Sequence, residues 1–187
     1  KSVYLKYREK INKTVLKVLN SGNYVKSKEL NKFEKNFAQY IKTKFAVGVG
    51  NATDAIFVAL KALNIGYGDE VITVSHTATG TAMGILNTGA KPVFCDISER
   101  DFNIDISFIS KKITKKTKAI VIVHLYGQSC EMKDLLYLAK KKGLPVIEDC
   151  SQSTGGKYKK KYLGSLGMFG CFSFFPTKNL SCIGDGG

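Results

Sequence analysis

From Phe45 to Glu148 the chain alternates short apolar runs with amphipathic stretches, and this alternation narrows its fold more than any other feature. The segment FAVGVGNATDAIFVALKALNIGYGDEVITV reads as a strand ending near Gly48 to Gly50, a turn, a helix from about Thr53 to Leu63 and a strand at Val71 to Val74. That order is a βαβ unit. A helical stretch near Thr79 to Asn87 then precedes a strand at Pro92 to Asp96, and a short helix from about Asp105 to Lys112 precedes one at Ala119 to Val123. A helix from about Met132 to Lys142 leads through Gly143 to a strand at Pro145 to Glu148. The strands are continuous apolar runs, which places them in a mainly parallel sheet buried on both faces. The expected fold class is α/β: a three-layer sandwich with a mainly parallel (mixed) central sheet. Two helices precede this core, one from Tyr7 to Leu19 and one from about Lys28 to Ile41 with Leu30, Phe33, Phe37 and Tyr40 on one stripe.

At 187 residues the chain is long enough for one well-cored domain and short for two. No apolar run approaches the roughly 20 residues that span a bilayer, so no membrane partner is expected. The chain begins at Lys1 and shows no apolar export signal, which makes the cytoplasm the expected compartment. A net charge of +14 would suit nucleic acid, but only Arg8 and Arg100 are arginine, the residue that base and phosphate forks favour. The cluster KYKKKY at Lys157 to Tyr162 reads as an exposed loop or hairpin rather than a nucleic-acid patch. An anionic small substrate agrees better with this charge. Five cysteines without a CxxC pair point to a reducing compartment, and with only His76 and His124 present no metal site is expected.

An open parallel sheet binds its ligand at the carboxyl ends of its strands. Four such ends carry chemistry. At Gly50-Asn51-Ala52-Thr53, small residues open a helix whose N–H groups suit a phosphate, although Asn51 or Thr53 could equally cap that helix. At Ser75-His76-Thr77, His76 either covers a ring or belongs to a turn. Asp149, at the end of a buried apolar strand, needs a cation or donors; it either caps a helix or pairs with a protonated pyridine nitrogen. The last end is CFSFFPTKNLSCIGDGG, where Ser173 either reaches a phosphate or fills a strand. There Lys178 is either a solvated surface lysine after a strand or, desolvated by Phe172, Phe174, Phe175 and Leu180, which surround it in sequence, an amine nucleophile. A ring with a protonated nitrogen, a phosphate arm and an aldehyde for an amine together describe pyridoxal phosphate.

The chain resembles the DegT/DnrJ/StrS family of sugar-nucleotide aminotransferases, whose fold is the aspartate-aminotransferase type of pyridoxal phosphate enzyme. The segments FEKNFAQYIKTKFAVGVGNATDAI, GYGDEVITVSHTATGTAMGILNTGAKPVFCDI, IVHLYGQ, LPVIEDCSQSTGG and FGCFSFFPTKNLSCIGDGG follow the family's order and spacings. The resemblance implies that Lys178 attaches the cofactor and shuttles a proton, that Asp149 holds the ring nitrogen protonated and that Gln152 bonds the phenolic oxygen. It further implies that Ser173 and the backbone at Ala52 and Thr53 bind the phosphate. The implied reaction passes an amino group, commonly from glutamate, to a nucleotide-linked ketosugar in a homodimer. Two departures stand out: Ala52 replaces a usual glycine, and Ala78 falls where an aromatic residue commonly stacks on the ring, which leaves His76 as the substitute. Family members are about twice as long. Residues 1–187 therefore read as the N-terminal segment plus most of the cofactor-binding large domain, without the small C-terminal domain. The alternative reading is a truncated, catalytically inactive cofactor-binding or regulatory protein. A dehydratase branch of the family carries histidine in place of the lysine, and Lys178 argues against it.

Overall fold

The computed structural model describes residues 2–187. Five parallel strands form the central sheet: β1 (Glu70–Val74), β2 (Lys91–Cys95), β3 (Thr117–Val123), β4 (Val146–Asp149) and β7 (Phe169–Cys171), in the order β2-β1-β3-β4-β7. Between β4 and β7 lies a small antiparallel hairpin, β5 (Lys157–Tyr158) with β6 (Lys161–Tyr162), where the sequence places an exposed loop or hairpin.

Helices α3 (Ala52–Ala62) and α4 (Thr79–Leu86) cover one face, while α5 (Ile106–Lys112) and α6 (Met132–Lys142) cover the other. Alternate residues of one strand feed the two cores. Ala119 and Val121 join Ile56, Leu60 and Ile85 on the first side, and Ile120 and Ile122 join Ile109, Met132 and Leu135 on the second. This division is why the strands carry no polar alternation. Local chemistry sets the helix ends. Asn51 and Asp105 cap α3 and α5 by accepting from the N–H groups of Asp54 and Ser107, and Gly143 closes α6 at φ 67° behind a last turn of three lysines.

Two expectations need correcting. The stretch before α3 forms no regular strand; instead Val49 exchanges both backbone hydrogen bonds with Gly187, at 3.0 and 3.1 Å. The first helix, α1 (Ser2–Ser21), starts earlier than its periodicity indicates and is interrupted at Tyr7. The second, α2 (Lys28–Ile41), has the expected bounds. It buries Phe37 edge-on against Phe172 and Phe174, with ring centroids 5.0 and 5.2 Å away.

The chain order reverses direction at β1, which has β2 on one side and β3 on the other. Such a switch point opens a crevice at the carboxyl ends. Val123, Asp149 and Cys171 are in register across β3, β4 and β7, so the loops after these three strands leave the sheet at one level.

Candidate active site at the carboxyl ends of the strands

A cavity of about 220 Å³ opens at that level. Its wall includes Ala52 and Thr53 from the start of α3, Thr77, Ala78 and Thr81 around the start of α4, Asp149, Ser151 and Gln152 after β4, and Ser173, Lys178 and Asp185 after β7. Six of the seven residues singled out in the sequence thus line one space. His76 is the exception. It stands exposed outside the wall, its Nε2 3.4 Å from the hydroxyl of Tyr126. Ala78 does line the cavity, so the small residue rather than the histidine faces it.

At one end, Asn51 spends its side chain on the N–H of Asp54 at 2.8 Å. The N–H groups of Ala52 and Thr53 have no partner among the described residues. Capping and anion binding are therefore compatible here: Asn51 performs the first and leaves the next two donors for the second. The Ser173 hydroxyl is buried on the same wall, where it accepts weakly from the N–H of Phe175 at 3.4 Å. Gly80 lets α4 approach closely, since a Cβ there would come within 2.7 Å of the Thr53 hydroxyl.

Asp149 occupies the other end. Only 4% exposed, its carboxylate accepts from Thr81 Oγ1 at 2.8 Å and from the N–H and hydroxyl of Ser151 at 3.0 and 2.5 Å. No helix cap is made by it, because the residues that follow form turns. Gln152 is oriented by its neighbour: Tyr126 N–H can only donate, so the Gln152 oxygen must face it, at 2.9 Å. The two amide hydrogens of Gln152 are thereby turned away from Tyr126. Tyr126 holds this place at φ 55°, a conformation uncommon for a bulky residue.

Lys178 is half-buried, and its ammonium has no ion pair among the described residues. The expectation that Phe172 and Phe174 desolvate it fails. Successive residues past β7 face opposite ways, so Ser173 and Phe175 border the cavity while Phe172 and Phe174 turn toward α2. Leu180 is exposed. Of the four apolar neighbours, only Phe175 shares the cavity wall with the lysine.

Behind the site lies a polar cluster that the sequence did not reveal. His124, Glu148 and Cys150 place possible metal-binding atoms within 4.8 Å of one another. Hydrogen bonds account for the first two. Cys130 N–H donates to His124 Nδ1 at 3.1 Å, so the ring proton lies on Nε2 and points at Glu148, 2.9 Å away. Glu148 also accepts from the N–H groups of Gly164, Leu166 and Gly167. Burial pushes its carboxyl pKa up, but the bonds from His124, Gly167 and Gly164 outweigh burial and the net shift is downward. Complete burial raises the Cys150 thiol well above its usual value and keeps it protonated.

Thr81, Asp185 and Tyr126 belong to the site without having been singled out. The only sequence signal for Thr81 is its spacing of four from Thr77 at a helix start, and nothing in the sequence points from it to Asp149, 68 residues later.

Comparisons with known proteins bear on the family and the fold. The profile of the DegT/DnrJ/EryC1/StrS aminotransferase family matches residues 6–187. The dTDP-3-amino-3,6-dideoxy-alpha-D-galactopyranose transaminase of Aneurinibacillus thermoaerophilus is 44% identical over 187 residues, covering 100% of this chain and 52% of that protein. A Geobacillus stearothermophilus protein named pleiotropic regulatory protein is 45% identical over 98% of this chain and 50% of its own length. Among solved structures, S. venezuelae DesV in complex with a ketimine intermediate superposes with a TM-score of 0.96 at 40% identity, over 99% of this chain and 50% of that one. Bacillus subtilis NtdA with bound cofactor PMP gives 0.90 at 33% identity, over 97% and 41%. The chain spans about half the length of the curated relatives it matches. It belongs to the DegT/DnrJ/EryC1/StrS aminotransferase family.

Proposed function

We propose that the cavity is a pyridoxal phosphate site, and that the protein transfers an amino group, with glutamate as donor, to a nucleotide-linked ketosugar. One observation carries the reading: unpartnered donors at Ala52 and Thr53 and the Asp149 acceptor border the same cavity as Lys178. The donor end suits a phosphate and the acceptor end a pyridinium N–H, so the residues fit the group. When bound, pyridoxal phosphate supplies an electron sink for negative charge at the carbon that exchanges its proton.

The chain's own residues do the rest. Ala52 and Thr53 N–H with the Ser173 hydroxyl hold the phosphate, and Asp149 accepts from the ring nitrogen and keeps it protonated. The Gln152 amide, its oxygen occupied by Tyr126, donates to the phenolic oxygen. Lys178 Nζ would hold the cofactor's aldehyde carbon and, when free, would carry a proton to and from the substrate carbon. Ala78, on the cavity wall, offers no aromatic face to the ring. A homodimer and a cytoplasmic location suit this reading; no helix among the described residues is long and apolar enough to cross a membrane.

The test is the visible spectrum of the full-length protein mixed with pyridoxal phosphate, before and after borohydride, with peptide mapping of the reduced adduct and an assay of glutamate with dTDP- or UDP-linked ketosugars. A visible band, a label on Lys178 and an aminated sugar are expected. A folded protein with no label on Lys178 would overturn the cofactor reading. The name of the Geobacillus relative favours a second reading, a regulatory protein that binds the cofactor without turnover. A label on Lys178 without amination of any ketosugar offered would select it.

A further inference from the structure

Thr81 spends its hydroxyl in an unusual way for a threonine in the first turn of a helix. Such a group commonly bonds a carbonyl one turn back. Here the side chain is 2% exposed and reaches across to β4, with Oγ1 2.8 Å from Asp149 Oδ2 and 2.8 Å from Thr77 Oγ1. The direction of the chain follows from chemistry. A carboxylate only accepts, so the single Thr81 proton goes to Asp149, and the Thr81 oxygen is left to accept from Thr77. With Ser151 on Oδ1, both Asp149 oxygens are held and the carboxylate plane is fixed.

The helix that presents Thr81 is itself tightly placed. A Cβ on Gly84 would lie 2.8 Å from Ile56 Cβ, and one on Gly80 would lie 2.7 Å from Thr53 Oγ1. The position of α4 against α3 thus ties the donor end of the cavity, at Thr53, to the acceptor end, at Asp149.

We infer that Thr81, with Thr77 behind it, is a positioning residue that aims the Asp149 carboxylate at the cofactor's ring nitrogen. The inference rests on the reading of the cavity as a pyridoxal phosphate site. Thr81→Val keeps the shape and removes the proton given to Oδ2, so that the carboxylate is held through Oδ1 alone.

The test compares pyridoxal phosphate with its 1-deaza analogue, which carries a carbon in place of the ring nitrogen, by absorbance titration of the full-length protein. Thr81→Val should weaken pyridoxal phosphate binding by about tenfold, the scale of one hydrogen bond to a charged group. Binding of the deaza analogue should change less than about twofold, since its ring has nothing for Asp149 to meet. Thr81→Ser should restore the wild-type affinity. An equal loss for both probes would make the role merely structural and overturn the inference, and so would an unchanged affinity for pyridoxal phosphate. If Thr81→Val fails to fold, Thr77→Val, which removes only the outer link, takes its place: a smaller loss confined to pyridoxal phosphate supports the inference, and no loss or an equal loss for both probes overturns it. Failure of the wild-type protein to bind pyridoxal phosphate would instead sink the cofactor reading itself.

Discussion

Asp149 sits at the end of a central strand with three donors on its carboxylate, whereas Lys178 sits in a loop of which most residues are exposed. The loop is tied at few points. Phe174 N–H donates to Gly186 and its carbonyl accepts from Cys182, both at 2.8 Å, which brings the loop's two ends together. The Asn179 amide bonds the carbonyl of Thr154, and Gly187 pairs with Val49. The acceptor for a ring is therefore fixed by the sheet before any ligand arrives, while the amine that would attack it sits on a looser support. That difference suits the two tasks. A ring partner is useful when it does not move, and a lysine that first attaches a cofactor and then ferries a proton must change place.

The largest effect should come from the loop. Lys178→Ala should remove the borohydride-stable label and lower amine transfer by on the order of 10⁴-fold or more, with an unchanged circular dichroism spectrum. Persistent turnover would remove Lys178 from its role. Asp149→Asn keeps the shape but forfeits the charge proposed to meet a ring nitrogen. Transfer should slow by on the order of 10²-fold or more, and a near-normal rate would show that the fixed end of the site is not its electronic partner.

Stability should follow the opposite ranking. Behind Asp149, on the other face of β4, Glu148 gathers His124 and three backbone N–H groups, and Glu148→Ala leaves all four unpartnered in the core. A loss of about 3 to 5 kcal/mol is expected in denaturant unfolding, against almost none for Lys178→Ala. The pH dependence has a definite sign. The Glu148 carboxyl is lowered on folding, so its contribution is present above the unfolded value and is lost as pH falls through the folded one, below the ordinary 4.5. Stability should drop in that acid range for the wild type and fall less steeply for Glu148→Gln.

The smallest effect separates the two regions by reactivity. Cys182, in the loop, is exposed, while burial raises the Cys95 and Cys130 thiols to about 11 and about 12 and pushes Cys150 and Cys171 up as well. A thiol reagent at neutral pH should label Cys182 quickly and the four buried cysteines only on unfolding. Fast labelling of Cys171, one residue past Gly170 on β7, would mean that the loop's anchor opens with it.

Much of this was legible in the sequence. Continuous apolar runs at Val71, Ala119 and Val146 determined strands buried on both faces, and the residues after them determined where a ligand would meet small groups, a carboxylate and an amine, because strand ends and helix starts are local features. The same local logic missed whatever depended on a partner far along the chain. Phe172 and Phe174 flank Lys178 in sequence, yet the alternation of an extended chain turns them to α2. Direction, not proximity along the chain, decides what desolvates a lysine. By itself, then, the sequence determined the layers, the sheet and the chemical types at its carboxyl edge. Only the tertiary structure decided that Thr81 joins Ser151 in holding Asp149 and that His76 stands outside the cavity. The first of these is set by packing between residues 68 apart, which no local pattern encodes.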